Sequence, residues 1–476
     1  MKPFTVGLLP LYIKLYDDLD KDGAWRGRME TFPGAVAHAL EKRGVQVERA
    51  PICRLAREFA AAVKSLETRS VDALVTLHLA YSPSLESAAV LAKTRLPLIV
   101  LDATPTWSYS PRQDPAELMF NHGIHGVQDM CNLLIRNGKP FLIEAGHWER
   151  SDVLDRVAAW LPAARMASTM RRAKVGLIGT AFKGMGDFQV TPTALASTIG
   201  ASVKSLEPEK FKRLLASVNG DAVGAEMKAD RERFRDAGVS AEAHERSVKM
   251  GLAIFERSEK MGLAIRRWIE QEGLTALSFN FQSMVEKDGY PTAPFLEMSK
   301  AMERGIGYAG EGDTLTATLV GGLMASFQDT SFTEMFCPDW ENNTVFLSHM
   351  GEANLRLLDG PPQLREMKYQ FSKTRNPALA TGCFKPGEVT LVNLAPLGGG
   401  RYRLIVAPVE MVPVTGPDRM EESIRGWFRP PVSVADFLAG YSRLGGTHHL
   451  AVSYTRDLAS LEGLAGMMGW EHARLG

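Results

Sequence analysis

Three side chains that can bind a metal ion or move a proton lie between residues 305 and 350, and a fourth lies near residue 449. Glu311 stands in AGEGD, Glu334 in TSFTEMF, His349 at the end of VFLSHM and His449 at the end of GGTHH. Two carboxylates and two imidazoles offer oxygen and nitrogen ligands, which suit Mn²⁺, Co²⁺, Fe²⁺ or Mg²⁺ better than an ion that prefers thiolates. The pattern predicts a divalent-metal site whose carboxylates are available for acid–base work.

The two glutamates differ in their local sequence. Glycines on both sides of Glu311 leave its carboxylate open to a ligand. A glutamate after glycine is, however, more commonly a solvated loop charge. Glu334 lies between Phe332 and Phe336, where a purely structural charge would need a buried partner. Glu334 is therefore the stronger of the two predictions.

The histidines carry less information singly. His349 taken alone is more typical of a hydrogen-bonded core histidine than of a ligand. His448 and His449 are adjacent, and neighbouring side chains on a strand point to opposite faces. We therefore expect at most one of these two to reach the metal; if His449 is that ligand, His448 is left for contacts with the substrate.

The segment before residue 150 alternates buried-strand and helix patterns, which predicts a βαβ series in a doubly wound sheet. Asp114 before Pro115, with Gly138 beyond, predicts the start and end of one helix. The predicted strands are Phe4–Leu9, Val45–Glu48, Ala73–Leu77, Leu98–Leu101 and Phe141–Glu144, and the predicted helices are Pro33–Lys42, Leu55–Leu66, Leu85–Lys93 and Pro115–Arg136.

A second α/β segment begins with KVGLIG at Lys174. It includes a predicted helix over Ala241–Glu272, in which ERSVKMGLAIF and ERSEKMGLAIR repeat with Met250/Leu252 and Met261/Leu263 on one face. From residue 379, alternating runs broken by Gly and Pro predict antiparallel strands. The predicted fold class is α/β: two doubly wound (Rossmann-like) parallel-sheet domains, over 1–170 and 171–350, followed over 351–476 by a small antiparallel β-barrel with terminal helices.

Composition narrows the classes of partner. The 476 residues hold 55 Lys plus Arg and 55 Asp plus Glu, so the formal net charge is zero and favours neither nucleic acid nor a membrane surface. The four cysteines stand singly, without the pairs of a zinc knuckle or a disulfide framework. No signal peptide, membrane-spanning run or Gly-rich phosphate loop is recognisable, so we expect a cytoplasmic protein.

Four motifs in register resemble the L-arabinose isomerase family, within the wider fucose/arabinose isomerase group. They are GYAGEGD (307–313), TSFTE (330–334), SHM (348–350) and GGTHH (445–449). Weaker similarity covers most of the chain, including LHLAYSP (77–83), NHGIHG (121–126) and AGHWER (145–150).

The resemblance implies an aldose–ketose isomerase of carbohydrate metabolism that works through an enediolate. It implies a three-domain subunit in a homo-oligomer, a trimer or hexamer, with Mn²⁺ held by Glu311, Glu334, His349 and His449. It further implies that His125 reaches the active site of a neighbouring subunit. The positions that match the sugar pocket of the family are Tyr81, Met185 and Phe281.

The departures concern sugar recognition. GLLPLY (7–12) lacks the family's sugar-contacting glutamine, and GVQDM (126–130) follows His125 in place of the family's Gly–Gly–Arg–Glu–Phe. The expected substrate is a pentose or hexose of the L-arabinose, D-galactose or L-fucose type. One alternative is a C6-charged aldose such as sulfoquinovose, whose tail Lys14, Arg112 or Lys183 would face. Others are a sugar epimerase or a non-catalytic sugar-binding relative.

Overall fold

The computed structural model describes residues 2–218, 220–252 and 264–476. The chain forms two compact units, which we call the N unit (1–168 with 459–470) and the C unit (169–458 with 471–476). Within the described part of the chain the strands make three sheets, of five, four and ten strands. No helix in that part is long and apolar enough to cross a bilayer.

The N unit is built on an all-parallel sheet. Its strand order is β2-β1-β3-β4-β5, so the chain reverses direction along the sheet after β2. Leu9, Leu74 and Leu98 are fully buried because helices cover both faces. All five predicted strands are confirmed close to their predicted bounds: β1 (Thr5–Leu11), β2 (Gln46–Arg49), β3 (Ala73–His78), β4 (Leu98–Asp102) and β5 (Leu142–Ala145).

The helices around this sheet correct two predictions. The helix expected from Pro33 is the second half of a longer one, and the helix expected over Pro115–Arg136 is broken at His122, whose φ of −103° and ψ of 29° are not helical. Asp114 does cap the first turn, accepting from the Ala116 N–H at 2.9 Å. The helices are α1 (Lys14–Leu19), α2 (Ala24–Glu41), α3 (Ala56–Thr68), α4 (Ser84–Lys93), α5 (Leu118–Asn121), α6 (Gly123–Arg136), α7 (Val153–Ala159), α8 (Leu161–Arg171) and α17 (Leu458–Met468), with a 3₁₀ turn over Pro115–Glu117.

The C unit contains a second parallel sheet, in the order β10-β9-β6-β7. Met250 is fully buried, as its place in the repeat predicts, whereas Met261 and Leu263 of the second copy lie outside the described residues. The elements are β6 (Lys174–Ile178), β7 (Ser202–Ser205), β9 (Ala276–Phe279) and β10 (Gly307–Gly310), with α9 (Pro192–Thr198), α10 (Pro208–Ala216), α11 (Gly220–Arg233), α12 (Ala241–Leu252), α13 (Ala264–Glu272), α14 (Phe295–Glu303) and α15 (Thr314–Met324).

The third sheet is mixed and also lies in the C unit. Six of its strands pair antiparallel in the sequence β16-β15-β18-β11-β12-β17, and β17 pairs again with β16, so the hydrogen bonding runs in a closed circuit. Residues on both sides of position 350 contribute to this circuit. The strands are β8 (Arg235–Asp236), β11 (Thr330–Asp339), β12 (Thr344–Ser348), β13 (Gln363–Glu366), β14 (Ala378–Cys383), β15 (Gly387–Gly398), β16 (Arg401–Val412), β17 (Ile424–Arg429), β18 (His449–Ser453) and β19 (Glu471–Arg474), with α16 (Val434–Arg443) and 3₁₀ turns over Phe281–Ser283, Glu286–Asp288 and Leu355–Leu357.

Candidate active site

Glu311 lies in the turn that joins the carboxyl end of β10 to the buried helix α15. Its φ of +62° is in the left-handed region, which non-glycine residues seldom adopt. A Cβ on Gly310 would lie 2.6 Å from His349 Cε1, and one on Gly312 would lie 2.7 Å from Ala181 Cα. The two glycines therefore let the turn approach both the histidine and the loop after β6, and Glu311 stays 8% exposed.

Glu334, His349 and His449 are brought together by strand register. Glu334 on β11 pairs with His449 at the start of β18 on one side and with Ser348 at the end of β12 on the other. His349 follows Ser348 directly. Cross-strand partners have Cβ atoms about 5 Å apart on one face, so three residues far apart in sequence meet at one level of the sheet.

The imidazoles of His349 and His449 are each held by a buried carboxylate. His349 Nδ1 is 2.8 Å from Glu352 Oε2, and His449 Nδ1 is 3.0 Å from Asp313 Oδ2. The Tyr308 hydroxyl donates to the other oxygen of Glu352 at 2.5 Å. Carboxylate–histidine pairs of this kind orient a ring so that its second nitrogen faces a metal.

His448 and His449 both approach Glu311. Their Nε2 atoms lie 3.7 Å and 3.6 Å from Glu311 Oε2, and their ring centroids are 4.2 Å apart. The opposite orientation expected for neighbours on a strand is wrong here, because β18 begins at His449 and His448 precedes it. Asp187, in the loop after β6, accepts from His448 Nδ1 at 2.6 Å and from the His448 backbone N–H at 3.0 Å.

The charges at the centre depend on one another. Burial raises the pKa of Glu311, but the neighbouring His448, His449 and His349 outweigh it and hold that pKa below its ordinary value. Burial lowers the pKa of His349, and Glu352 reverses this so that the pKa is raised. The pKa of His448 is raised to about 10, because Asp187 and Glu311 outweigh its burial.

The donor set fits a divalent cation. Glu311, His448 and His449 form one group, and Glu334, His349 and His449 form another, with ligand atoms in each group within 4.8 Å of one another. Glu311 Oε2, His448 Nε2 and His449 Nε2 are buried without hydrogen-bond partners. Among the described residues, neither glutamate forms an ion pair with a lysine or arginine. In the part of the chain that the structure describes, only imidazoles compensate the two carboxylates, at distances longer than a hydrogen bond, and a divalent cation among these atoms would complete their coordination.

Two of the predicted sugar-pocket residues lie in the C unit. Phe281 is buried in a 3₁₀ turn, and its ring centroid lies 5.8 Å from that of Phe182. Phe182 in turn donates its backbone N–H to the Glu311 carbonyl at 2.9 Å. Met185 stands in the same loop, two residues before Asp187, and is half-buried. Phe281 thus contacts a residue that is hydrogen-bonded to the main chain of Glu311. The role of Phe281 and Met185 in sugar binding stays a prediction.

The third, Tyr81, belongs to the N unit, as does His125. Tyr81 donates to Asp129 at 3.3 Å. His125 is exposed, with its ring centroid 5.6 Å from that of His122. Of the cations considered for a charged sugar tail, Lys14 pairs with Asp18, while Arg112 and Lys183 are exposed. Their sugar-binding roles also stay predictions.

Sequence reasoning missed the three carboxylates that hold the histidines. Asp313 was visible as a helix N-cap, and it does accept from the Thr316 N–H at 2.8 Å with the oxygen that His449 leaves free. Glu352 lies three residues after His349. That spacing brings two side chains together in a helix, but residues 349–352 are in no helix or strand. Asp187 lies in KGMGDF. From the sequence we concluded only that this segment is not a phosphate-binding loop.

Two domains of a known protein family match the part of the chain that contains this site. Residues 193–327 match the model of the L-arabinose isomerase central domain, and residues 329–471 match that of the C-terminal domain. L-arabinose isomerase of Shouchella clausii is 24% identical over 360 residues, or 74% of this chain and 70% of that protein. L-arabinose isomerase 1 of Bacillus licheniformis is 25% identical over 359 residues, or 74% and 69%.

Among solved structures, the periplasmic arabinose-binding component of a Shewanella transporter is 13% identical with a TM-score of 0.15, over 67% of this chain and 82% of that one. A score this low carries no conclusion about the fold. The two domain matches together include Glu311, Glu334, His349 and His449 and span more than half of the sequence. The chain therefore belongs to the L-arabinose isomerase family, whose members are aldose–ketose isomerases.

Proposed function

We propose that this protein is a divalent-metal-dependent aldose–ketose isomerase in which Glu311, Glu334, His349 and His449 hold the ion, Mn²⁺ or else Co²⁺, Fe²⁺ or Mg²⁺. The observation that carries the proposal is the buried, unpaired Oε2 of Glu311 facing the unpaired Nε2 of His449. The strand register that sets Glu334 opposite His449 supports the same ligand set. An ion bound there would place positive charge beside sugar oxygens that become negative during the reaction.

The two glutamates supply the proton transfers. Isomerisation moves a proton from C2 to C1 and a second proton from the C2 hydroxyl to the carbonyl oxygen at C1. One carboxylate takes the C2 proton and returns it to C1, and the other carries the hydroxyl proton. A carboxylate must be ionised to accept a proton, and the neighbouring imidazoles favour the ionised form of Glu311. The enediolate is the intermediate between the two transfers.

The rest of the site keeps these groups in place. Asp313 and Glu352 fix the rings of His449 and His349, and Phe332 packs against both rings with centroids 5.0 Å and 4.7 Å away. Phe188 stacks on His449 at 4.9 Å. These apolar covers exclude water from one side of the centre and leave the side of Glu334 for the sugar, a pentose or hexose.

The wider organisation is part of the proposal. We assign an N-terminal α/β domain to 1–170, a central one to 171–350 and an antiparallel β-barrel with terminal helices to 351–476. The closed circuit of six antiparallel strands supports a barrel, to which the end of the 171–350 segment contributes β11 and β12. The protein would act in the cytoplasm as a homo-oligomer, a trimer or hexamer, in which His125 completes a neighbour's site.

The test is a ketose-formation assay on metal-stripped protein, with and without added Mn²⁺. The panel of sugars includes L-arabinose, D-galactose, L-fucose and C6-charged aldoses such as sulfoquinovose. We expect ketose from at least one sugar, only when metal is present. Formation of a second aldose would indicate an epimerase, and the absence of any product with bound Mn²⁺ would indicate a sugar-binding protein without turnover; either result would refute the proposal.

A further inference from the structure

The loop between β6 and α9 carries an acidic residue that the ligand set does not use. This loop is fixed to the turn of Glu311, because the Phe182 N–H donates to the Glu311 carbonyl and Ala181 lies against Gly312. Further along the loop, Phe188 packs on the rings of both His448 and His449. Asp187 is therefore held at a defined place beside the centre.

Asp187 contacts His448 twice. It accepts from the backbone N–H at 3.0 Å and from the ring Nδ1 at 2.6 Å, so that both the main chain and the ring of His448 are oriented by one carboxylate. An ionised carboxylate can only accept, so Nδ1 must carry the proton in this pair. The nitrogen left to meet a ligand is Nε2.

Nε2 of His448 faces the two glutamates from outside normal hydrogen-bond range. It lies 3.7 Å from Glu311 Oε2 and 4.0 Å from Glu334 Oε1, and no described group hydrogen-bonds it. An oxygen atom placed between His448 Nε2 and either carboxylate, slightly off the line that joins them, can lie at about 2.8 Å from both. The geometry thus fits a hydroxyl group shared between imidazole and glutamate.

The three carboxylate–histidine pairs differ in exposure, which separates their roles. The side chains of His349 and His449 are 4% and 0% exposed, whereas that of His448 is 28% exposed and that of Glu334 is 21% exposed. His448 therefore lies with Glu334 on the open side of the centre, where a soluble sugar would arrive.

We propose that Asp187 is a positioning residue: it holds the His448 imidazole so that Nε2 hydrogen-bonds a sugar oxygen beside Glu311 and Glu334. The inference rests on the proposed isomerase function and deepens it, because it assigns the sugar contact of His448 to an aspartate outside the ligand set. Asp187 acts through His448 and touches neither the ion nor the reacting carbons.

The experiment is a double-mutant cycle on the full chain loaded with Mn²⁺. Asp187→Ala, His448→Gln and the double variant are compared with wild type in kcat, KM and the Kd for Mn²⁺. Asp187→Asn is a milder variant that keeps one hydrogen-bond acceptor, in case the alanine variant folds poorly. Asp236→Ala is the matched control, since Asp236 also accepts two backbone N–H groups, at the end of β8 in the C unit.

We expect Asp187→Ala to lower kcat/KM by about tenfold or more, and the double variant to be no worse than His448→Gln, because residues acting through one another are not additive. The Kd for Mn²⁺ should change less than about threefold, since a residue that fixed a ligand would weaken metal binding by 10–100-fold. Multiplying losses in the double variant, or Mn²⁺ binding that weakens along with turnover, would overturn the proposal.

Failure of the isomerase reaction itself is recognised separately. If wild type converts no sugar, the same four proteins are titrated with L-arabitol, a polyol that cannot react, by calorimetry in the presence of Mn²⁺. Equal weakening by Asp187→Ala, His448→Gln and the double variant would support the positioning role although the isomerase proposal had failed. Independent losses, or no L-arabitol binding by wild type, would overturn it.

Discussion

Two clusters of buried charge in the C unit show opposite ways of arranging carboxylates. In the first, Glu226 pairs with Lys300 at 2.8 Å and with Arg266, and Asp230 pairs with Lys300 at 2.5 Å and with His244 at 2.9 Å. In the second, Glu311 and Glu334 face only imidazoles, at 3.6–4.0 Å. Among the described residues, lysine and arginine satisfy the carboxylates of the first cluster, whereas those of the second have only imidazoles beside them.

The difference separates structural charge from functional charge. Lys300 is 5% exposed and joins α14 to α11, so its cluster holds helices together. The second cluster joins strands and a turn, but its carboxylate oxygens and imidazole nitrogens lie too far apart to hydrogen-bond. The gap between these carboxylates and imidazoles is the place where we propose that an ion and a sugar bind.

The largest expected effect is on turnover. Glu311→Gln and Glu334→Gln should each lower kcat by about a thousandfold or more, since each removes a proton-transfer group. Both variants should still fold, because glutamine keeps the size and shape of glutamate. Glu388→Gln, an exposed carboxylate paired with Arg456, is the control. Near-normal kcat in either site variant would remove that glutamate from the mechanism.

The internally paired cluster should respond in the reverse way. Lys300→Met leaves Glu226 and Asp230 without their shared ammonium group, and breaking a buried pair costs about 3–5 kcal/mol. Denaturant unfolding should show the loss, while the kcat of the folded enzyme stays unchanged. Lys228→Met, on an exposed pair of α11, should cost less than about 1 kcal/mol. Equal losses in the two lysine variants would contradict the contrast between the clusters.

A smaller effect, on metal affinity, is expected from the carboxylate that is hydrogen-bonded to His349. Glu352→Gln weakens the charged partner of His349, and such changes typically reduce metal affinity by about 10–100-fold. Titration of Mn²⁺ into the metal-stripped variant measures this directly. Glu388→Gln again provides the baseline. Unchanged affinity would mean that Glu352 only fills a buried space beneath the ring.

The smallest effect appears in acid. Burial raises the pKa of Glu226, but Lys300 and Arg266 outweigh it and lower that pKa to about 2. A depressed carboxyl pKa contributes stability that is complete above the unfolded value and is lost as pH falls towards the folded one. The melting temperature should therefore fall less from pH 5 to pH 3 in Glu226→Gln than in wild type. Parallel pH profiles would show that Glu226 gains nothing from its partners.

The sequence predicted the N-unit sheet well because buried parallel strands read as continuous apolar runs, as Leu98–Leu101 does. It did not predict the break at His122, since helical spacing continues on both sides of a single non-helical residue. Glu334 was recognisable from its aromatic neighbours. Its register with His449 was not, because strand pairing over more than a hundred residues depends on the whole sheet. Asp187 was missed because its role depends on a loop reaching a distant histidine.

The backbone at Glu311 has a further consequence. A non-glycine residue at φ +62° costs roughly 1 kcal/mol relative to a residue that tolerates this region. Glycine or asparagine at position 311 would relieve that strain and remove a buried carboxylate at the same time. A library of this chain screened only for heat resistance should therefore enrich such substitutions. Directed evolution towards a robust catalyst would then select dead enzymes unless turnover is screened in every round.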